Sequence, residues 1–113
     1  VQIRTQSDPF EPYRISQGFK VGELVFLSGQ ASIDDAGHVV GPGDFIRQAE
    51  QTLENIRILL EHAGSDLSRI VKVTIYLTDM ANFPEVVALR ERFFTCPYPA
   101  DTIVEVRALA LPD

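Results

Sequence analysis

At 113 residues the chain is long enough for one hydrophobic core and too short for two, so residues 1–113 read as a single domain. Its 45% hydrophobic and 23% charged residues are ordinary for a globular protein. A net charge of −6, with no dense Lys/Arg cluster, repels a phosphate backbone and excludes nucleic acid as a partner.

Residues 1–12 are polar, carry Pro9 and Pro12, and read as an extended arm. Tyr13 to Gln17 reads as a short strand. A Val21-Gly22-Glu23 turn leads into Leu24-Val25-Phe26-Leu27-Ser28, a nearly unbroken apolar run of the kind found in strands buried on both faces. Asp34-Asp35-Ala36-Gly37 marks a turn, after which His38-Val39-Val40 pairs back as a short strand.

Asp44 follows Gly41-Pro42-Gly43 and stands where an N-cap belongs. Phe45, Ala49, Leu53, Ile56 and Leu60 then form one apolar face of a helix that ends at Gly64. Ile70 to Thr78 is a β-branched strand. Asn82 is placed to cap a second helix, with Phe83, Val86, Val87, Leu89, Arg90, Phe93 and Phe94 as its broad buried face. Pro97-Tyr98-Pro99 cannot continue a helix. From Thr102 to Leu109 the residues alternate at period 2, a final strand with Asp101 at its loop junction. Two helices cannot cover both faces of such a sheet, and an oligomer is the simplest way to bury the second face.

Three ordered segments carry a family resemblance: Ser28-Gly29-Gln30, Val71 through Met80, and Pro99-Ala100-Asp101-Thr102-Ile103-Val104-Glu105-Val106. Together they resemble the RidA/YjgF family, once labelled endoribonuclease L-PSP or translation inhibitor, over about Tyr13 to Leu109. The resemblance implies an α+β chorismate-mutase-like fold, a mixed β-sheet backed by two helices, assembled as a homotrimer with small-molecule clefts at the subunit interfaces. In the family's imine deaminases the position of Asp101 is an arginine that clamps the substrate carboxylate. The family also continues into a strand with a water-positioning glutamate, whereas this sequence runs only to Leu111-Pro112-Asp113.

Hydrolysis of an imine or enamine requires a held substrate, an oriented water and a proton shuttle. A bidentate arginine is the natural handle for an amino-acid-derived imine. Asp101 cannot serve that way and repels a carboxylate by several kcal/mol, at an effective dielectric of ~20 and a separation of ~4 Å. Standard 2-imino acid deamination therefore does not carry over. Asp101 has three readings: a general base, an anchor for a cationic ligand, or a turn residue capping backbone N–H groups.

The substrate-binding candidates are Tyr13, Arg14, Ser28, Gly29, Arg90 and Thr102. Tyr13 and Arg14 sit where the family often shows Pro-Tyr-Ser-Gln; here Arg14-Ile15 separates Pro12-Tyr13 from Ser16-Gln17. Arg14 either supplies the positive charge that Asp101 lacks, pairs with Asp101, or is a solvated surface residue. The backbone amides of Ser28-Gly29 are candidate donors to a carbonyl or imine, against a plain strand-ending turn. Val87 and Arg90 occupy helix positions where the deaminases tend to show asparagine and tyrosine. Glu105 and Arg107 read as partners in cross-strand or intersubunit ion pairs.

The lone cysteine, Cys96, excludes an internal disulfide and a cysteine-built zinc site, and has no adjacent His or Lys to favour its thiolate. His38 and His62 are far apart and make no metal site. No cofactor is implied. No apolar run reaches the ~20 residues of a membrane span, and no leader segment is readable, so the expectation is a cytoplasmic protein without a membrane partner. Two functions follow: a deaminase-like hydrolase of imine, enamine or related C–N substrates, or a non-catalytic metabolite- or protein-binding module using the same intersubunit cleft. In the enzyme Asp101 faces an apolar wall; in the binding module Arg14 or another arginine already neutralises it.

Overall fold

Ile3 ties down the N-terminal segment that composition alone reads as an arm. In the computed structural model of the chain, which describes residues 1–111, β1 (Gln2–Ile3) pairs antiparallel with β2 (Gly18–Val21) and Ile3 is buried. β3 (Leu24–Leu27) completes a three-stranded antiparallel sheet in the order β1-β2-β3. These strands belong to a compact unit spanning Val1–Asp66; the chain from Leu67 onward forms a second unit.

The expected Tyr13–Gln17 strand does not form. Glu11–Tyr13 make a turn of 3-10 helix, with Pro12 in its first turn, where a missing N–H leaves no bond unmade. Arg14 closes that turn in the left-handed region (φ 61°), its N–H donating to the Glu11 carbonyl. Gln17 is buried, and its side chain accepts the N–H of Thr5 (2.8 Å) and donates to Thr5 Oγ1 (3.0 Å). Strand pairing begins only at Gly18, whose missing side chain lets it pass the Phe26 carbonyl: a Cβ there would lie 2.7 Å from that oxygen.

His38-Val39-Val40 likewise forms no ladder, only the single bridge Ile33–Val39. The Asp34 carboxylate organises this turn by accepting the N–H groups of Ala36 and His38, both at 2.9 Å. β3 is not buried on both faces within the chain. Leu24 and Phe26 are exposed, while Val25 and Leu27 are half-buried.

α1 (Phe45–His62) follows the sequence expectation closely. The Asp44 carboxylate accepts the N–H of Arg47 at 3.1 Å, the N-cap bond its position implies. At the other end Gly64 adopts φ 80°, and the Ser65 N–H donates to the Leu60 carbonyl at 2.8 Å, closing the helix. Leu59 and Leu60 are buried, as are Ile3 and Ile33 of the same unit. Asn55 donates to the carbonyls of Ala31 (3.0 Å) and Ile33 (2.9 Å), so the helix satisfies loop backbone that would otherwise lack partners.

In the second unit β4 (Lys72–Leu77) and β5 (Ala100–Glu105) pair in parallel, from Lys72 opposite Ala100 to Leu77 opposite Glu105. A parallel pair needs a crossover, and α2 (Phe83–Phe93) lies between the two strands in sequence. Leu77, Val86 and Leu89 are the buried apolar residues of this unit. The helix face is narrower than the sequence pattern implies, since Phe83 and Val87 are exposed. The last strand begins earlier and ends sooner than Thr102–Leu109, so Asp101 lies inside β5 rather than in a turn before it.

Asn82 occupies the N-cap position of α2 but makes no capping bond. Asp79 takes that role upstream: its carboxylate accepts the Ala81 N–H at 2.9 Å in the 3-10 turn Met80–Asn82 that leads into the helix. Glu105 Oε1 accepts the Met80 N–H at 2.8 Å, a structural role, and Arg107 lies beyond the end of β5. Two helices with antiparallel and parallel strands make an α+β protein. Among the described residues no helix is long and apolar enough to cross a membrane. Pro112 and Asp113, where the comparison with the family's terminal glutamate falls, lie outside the described residues.

Candidate functional site

Side chains on a strand alternate between faces, so Asp101 shares a face of β5 with Ile103 and Glu105, and Thr102 points the other way. Two neighbouring candidates are thereby separated onto opposite faces of the β4–β5 pair. Asp101 is met by Arg90, from the last turn of α2, with Nη2 and Oδ2 2.6 Å apart. The two side chains retain 26% and 18% of their accessible surface, so the pair is largely withdrawn from solvent. Asp101 is open at its main chain rather than at its carboxylate.

The partner of Asp101 is therefore Arg90, not Arg14. Nor does the Asp101 carboxylate cap a backbone N–H; its charge is spent on a guanidinium. Arg90 Nε is buried and has no hydrogen-bond partner. A buried N–H without an acceptor is uncommon in folded proteins and marks a place where an acceptor is missing. On the opposite face Thr102 Oγ1 accepts from Lys72 Nζ at 2.8 Å, and Lys72 also donates to the Val73 carbonyl at 3.0 Å. Lys72 was not among the sequence candidates, because only the parallel register brings it beside Thr102.

In the first unit Ser28 is fully engaged. Its N–H donates to the Gln17 carbonyl (3.0 Å), its hydroxyl to the Ser16 carbonyl (2.5 Å), and its own carbonyl accepts from Gln30 Nε2 (3.1 Å). Ser28 thus offers no free backbone donor, contrary to expectation: the bonds that attach Ser28 to the segment before β2 use it up. Gly29 is exposed, with open space where a Cβ would stand, and its N–H has no partner among the described residues.

Tyr13 is exposed on the 3-10 turn. Arg14 lines a shallow groove with Gln2, Arg4, Asp8, Glu11, Ile15 and Ser16. Arg4 is committed to Glu11 (2.5 Å) and Asp8 (3.7 Å), while Arg14 forms no ion pair among the described residues. Cys96 is a free, exposed thiol. Among the described residues no group of three or more His, Cys, Asp or Glu side chains is placed to hold a metal ion.

The carboxyls held below their ordinary range lie elsewhere. Asp34 is lowered chiefly by the His38 N–H donated to its carboxylate. Glu54 is lowered chiefly by its hydrogen bond from Arg57, which also pairs with Glu61 and is itself raised. Both reflect local structure in a turn and on a helix surface, not chemistry.

The family model described as Endoribonuclease L-PSP matches residues 5–113. The chain is 44% identical over 107 residues to the RutC family protein y4sK of Sinorhizobium fredii, covering 95% of this chain and 85% of that protein. It is 35% identical over 98 residues to the 2-iminobutanoate/2-iminopropanoate deaminase of Capra hircus, covering 87% and 70%. Among solved structures, RidA from an Antarctic Psychrobacter superposes with a TM-score of 0.89 at 35% identity, covering 97% of this chain and 89% of that one. The YjgF gene product of E. coli superposes with a TM-score of 0.87 at 31% identity, covering 99% and 90%.

Proposed function

We propose, for a chain that belongs to the endoribonuclease L-PSP (RidA/YjgF) family, a deaminase-like hydrolase of a small imine, enamine or related C–N substrate that works without the carboxylate-clamping arginine of the 2-imino acid deaminases. The observation that supports this reading is the 35% identity over 98 residues to the 2-iminobutanoate/2-iminopropanoate deaminase of Capra hircus, and the Arg90–Asp101 ion pair at 2.6 Å marks where this chain departs from the carboxylate clamp. The residue at the clamp position is no longer a vacant base or cation anchor; it holds a guanidinium delivered from α2. Imine hydrolysis is chemistry that some family members perform, the goat relative among them.

The reaction needs little from the protein. Water adds to the carbon of the protonated C=N bond, a proton passes from the added oxygen to nitrogen, and the C–N bond breaks to leave a carbonyl and ammonia or an amine. A backbone donor suits the developing oxygen.

The same proposal includes a homotrimer with its ligand clefts between subunits, in the cytoplasm, where a free exposed thiol such as Cys96 persists. An uncovered apolar face supports the assembly. Phe19, Val21, Leu24 and Phe26 are 48%, 61%, 60% and 59% exposed. They stand in cross-strand pairs, Phe19 opposite Phe26 and Val21 opposite Leu24, on one side of the sheet. A contiguous patch of this kind is a place where another protein surface binds.

A second reading, a non-catalytic binding module, is favoured by one specific observation: Asp101 is already neutralised, so no free carboxylate remains there to act as a base. Ammonia release from imines generated in situ by amine or amino-acid oxidases separates the two. Acceleration over the spontaneous rate, lost on heat denaturation, establishes the hydrolase. No acceleration with any imine, together with saturable ligand binding, establishes the module.

A further inference from the structure

A groove of about 210 Å³ in the first unit holds two arginines in opposite situations. Arg4 is neutralised from both sides: Nη2 stands 2.5 Å from Glu11 Oε2, and Nε 3.7 Å from Asp8 Oδ2. Asp8 is satisfied in turn, since its side chain is 3% exposed and Oδ1 accepts the Phe10 N–H at 2.9 Å. Arg14 lines the same groove, is exposed, and meets no carboxylate among the described residues. The acids of the groove are taken, and the Arg14 guanidinium is left over.

The backbone at Arg14 adds a second observation. It lies in the left-handed region (φ 61°, ψ 38°), where a side chain is strained and glycine is not. An arginine kept in such a place, with its charge unpaired, points to a use for the side chain. The same groove is lined by the Ser16 hydroxyl and the Gln2 carboxamide, both hydrogen-bond donors, and by Ile15 as an apolar wall. Guanidinium, hydroxyl and carboxamide are donors suited to a carboxylate, and the isoleucine suits a short alkyl tail. The volume falls below the roughly 300–1,000 Å³ of pockets for drug-sized ligands, so the ligand is small.

We infer that this groove is a binding site for a small aliphatic carboxylate, with Arg14 as its charge partner. An amine is the poorer fit, because Glu11 and Asp8 already face Arg4. A neutral amide is poorer too, since it gives up the charge-assisted bond to the guanidinium. The site concerns binding within the first unit and stands apart from the hydrolase reading, so turnover of imines neither supports nor opposes it.

The test is an NMR titration of the intact, isotope-labelled protein that follows the amide signals of Arg14, Ile15 and Ser16. The probes are butanoate, butanamide and butylamine, matched in length and different in charge. Butanoate is expected to shift these signals saturably and to bind at least about 10-fold more tightly than either other probe. Its affinity should fall as salt rises, as an exposed ion pair requires. Arg14→Gly removes the guanidinium while easing the backbone. It is expected to weaken butanoate binding about 10-fold while Tm stays close to that of the parent. Arg14→Asn, which also tolerates the left-handed region, repeats the measurement if the glycine variant melts early.

Saturable butanoate shifts on these signals, lost in Arg14→Gly or Arg14→Asn, establish the site. Three results overturn it: the signals do not move, butanamide or butylamine binds as well as butanoate, or both variants bind butanoate like the parent. Butanoate shifts centred on other residues place carboxylate binding elsewhere and overturn it as well.

Discussion

Arg90 Nη2 lies 2.6 Å from Asp101 Oδ2, joining the last turn of α2 to the second residue of β5. The connection has a counterpart at the other end of the same strand, where Glu105 accepts the N–H of Met80 just ahead of that helix. The segment from Met80 to Phe93 is therefore pinned near both of its ends to β5, and it runs antiparallel to that strand. Together with the Glu105–Met80 bond, the pair ties this segment of the second unit to β5.

Breaking the pair should cost more than losing an ordinary surface ion pair, because a largely buried charge is left without its partner. Arg90→Ala and Asp101→Ala are each expected to destabilise by about 2 kcal/mol. The double variant should cost less than the sum, with a coupling energy of about 1–2 kcal/mol. Urea unfolding of the four proteins checks this, and additive effects would mean that the two residues do not interact in solution.

Glycine at position 18 is a steric requirement. A Cβ there would stand 2.7 Å from the Phe26 carbonyl oxygen and 2.9 Å from Leu27 Cδ2. Gly18→Ala should destabilise by about 1–3 kcal/mol through forced separation of β2 and β3. Gly29→Ala, where a Cβ meets nothing within 4 Å, should stay within about 0.5 kcal/mol of the parent in thermal or urea unfolding.

Asp34 gives the stability a pH dependence of known sign. Its carboxyl is held below the ordinary 3.8, chiefly by the His38 N–H. A lowered folded pKa means a contribution that is fully present above 3.8 and lost as pH falls through the lower folded value. The Tm gap between the parent and Asp34→Asn should hold steady from neutrality to about pH 5 and close in stronger acid. A gap independent of pH would overturn this assignment.

The proposed trimer makes the exposed sheet face the seat of assembly. Phe26→Asp puts a charge in the middle of the apolar set formed by Phe19, Val21, Leu24 and Phe26. Sedimentation equilibrium should then report a monomer in place of a trimer, with the far-UV spectrum retained. A trimer that survives the substitution would place the interface elsewhere.

Much of this fold is legible from local chemistry. Asp44 and Gly64 bracket α1 because a cap carboxylate and a left-handed glycine act within one turn of their own positions. The apolar run after Gly22 makes β3 for the same local reason. The family, too, is written in ordered motifs along the chain. Tertiary structure decided the rest. A polar arm becomes β1 because Ile3 finds a core, and Tyr13–Gln17 fails as a strand because Gln17 is bonded to Thr5. Above all, sequence places Asp101 beside a proline turn and Arg90 on a helix, eleven positions apart, with nothing local to join them. Only the packing of α2 along β5 brings guanidinium and carboxylate together, and charge at a distance in sequence becomes chemistry only when folding sets its partner.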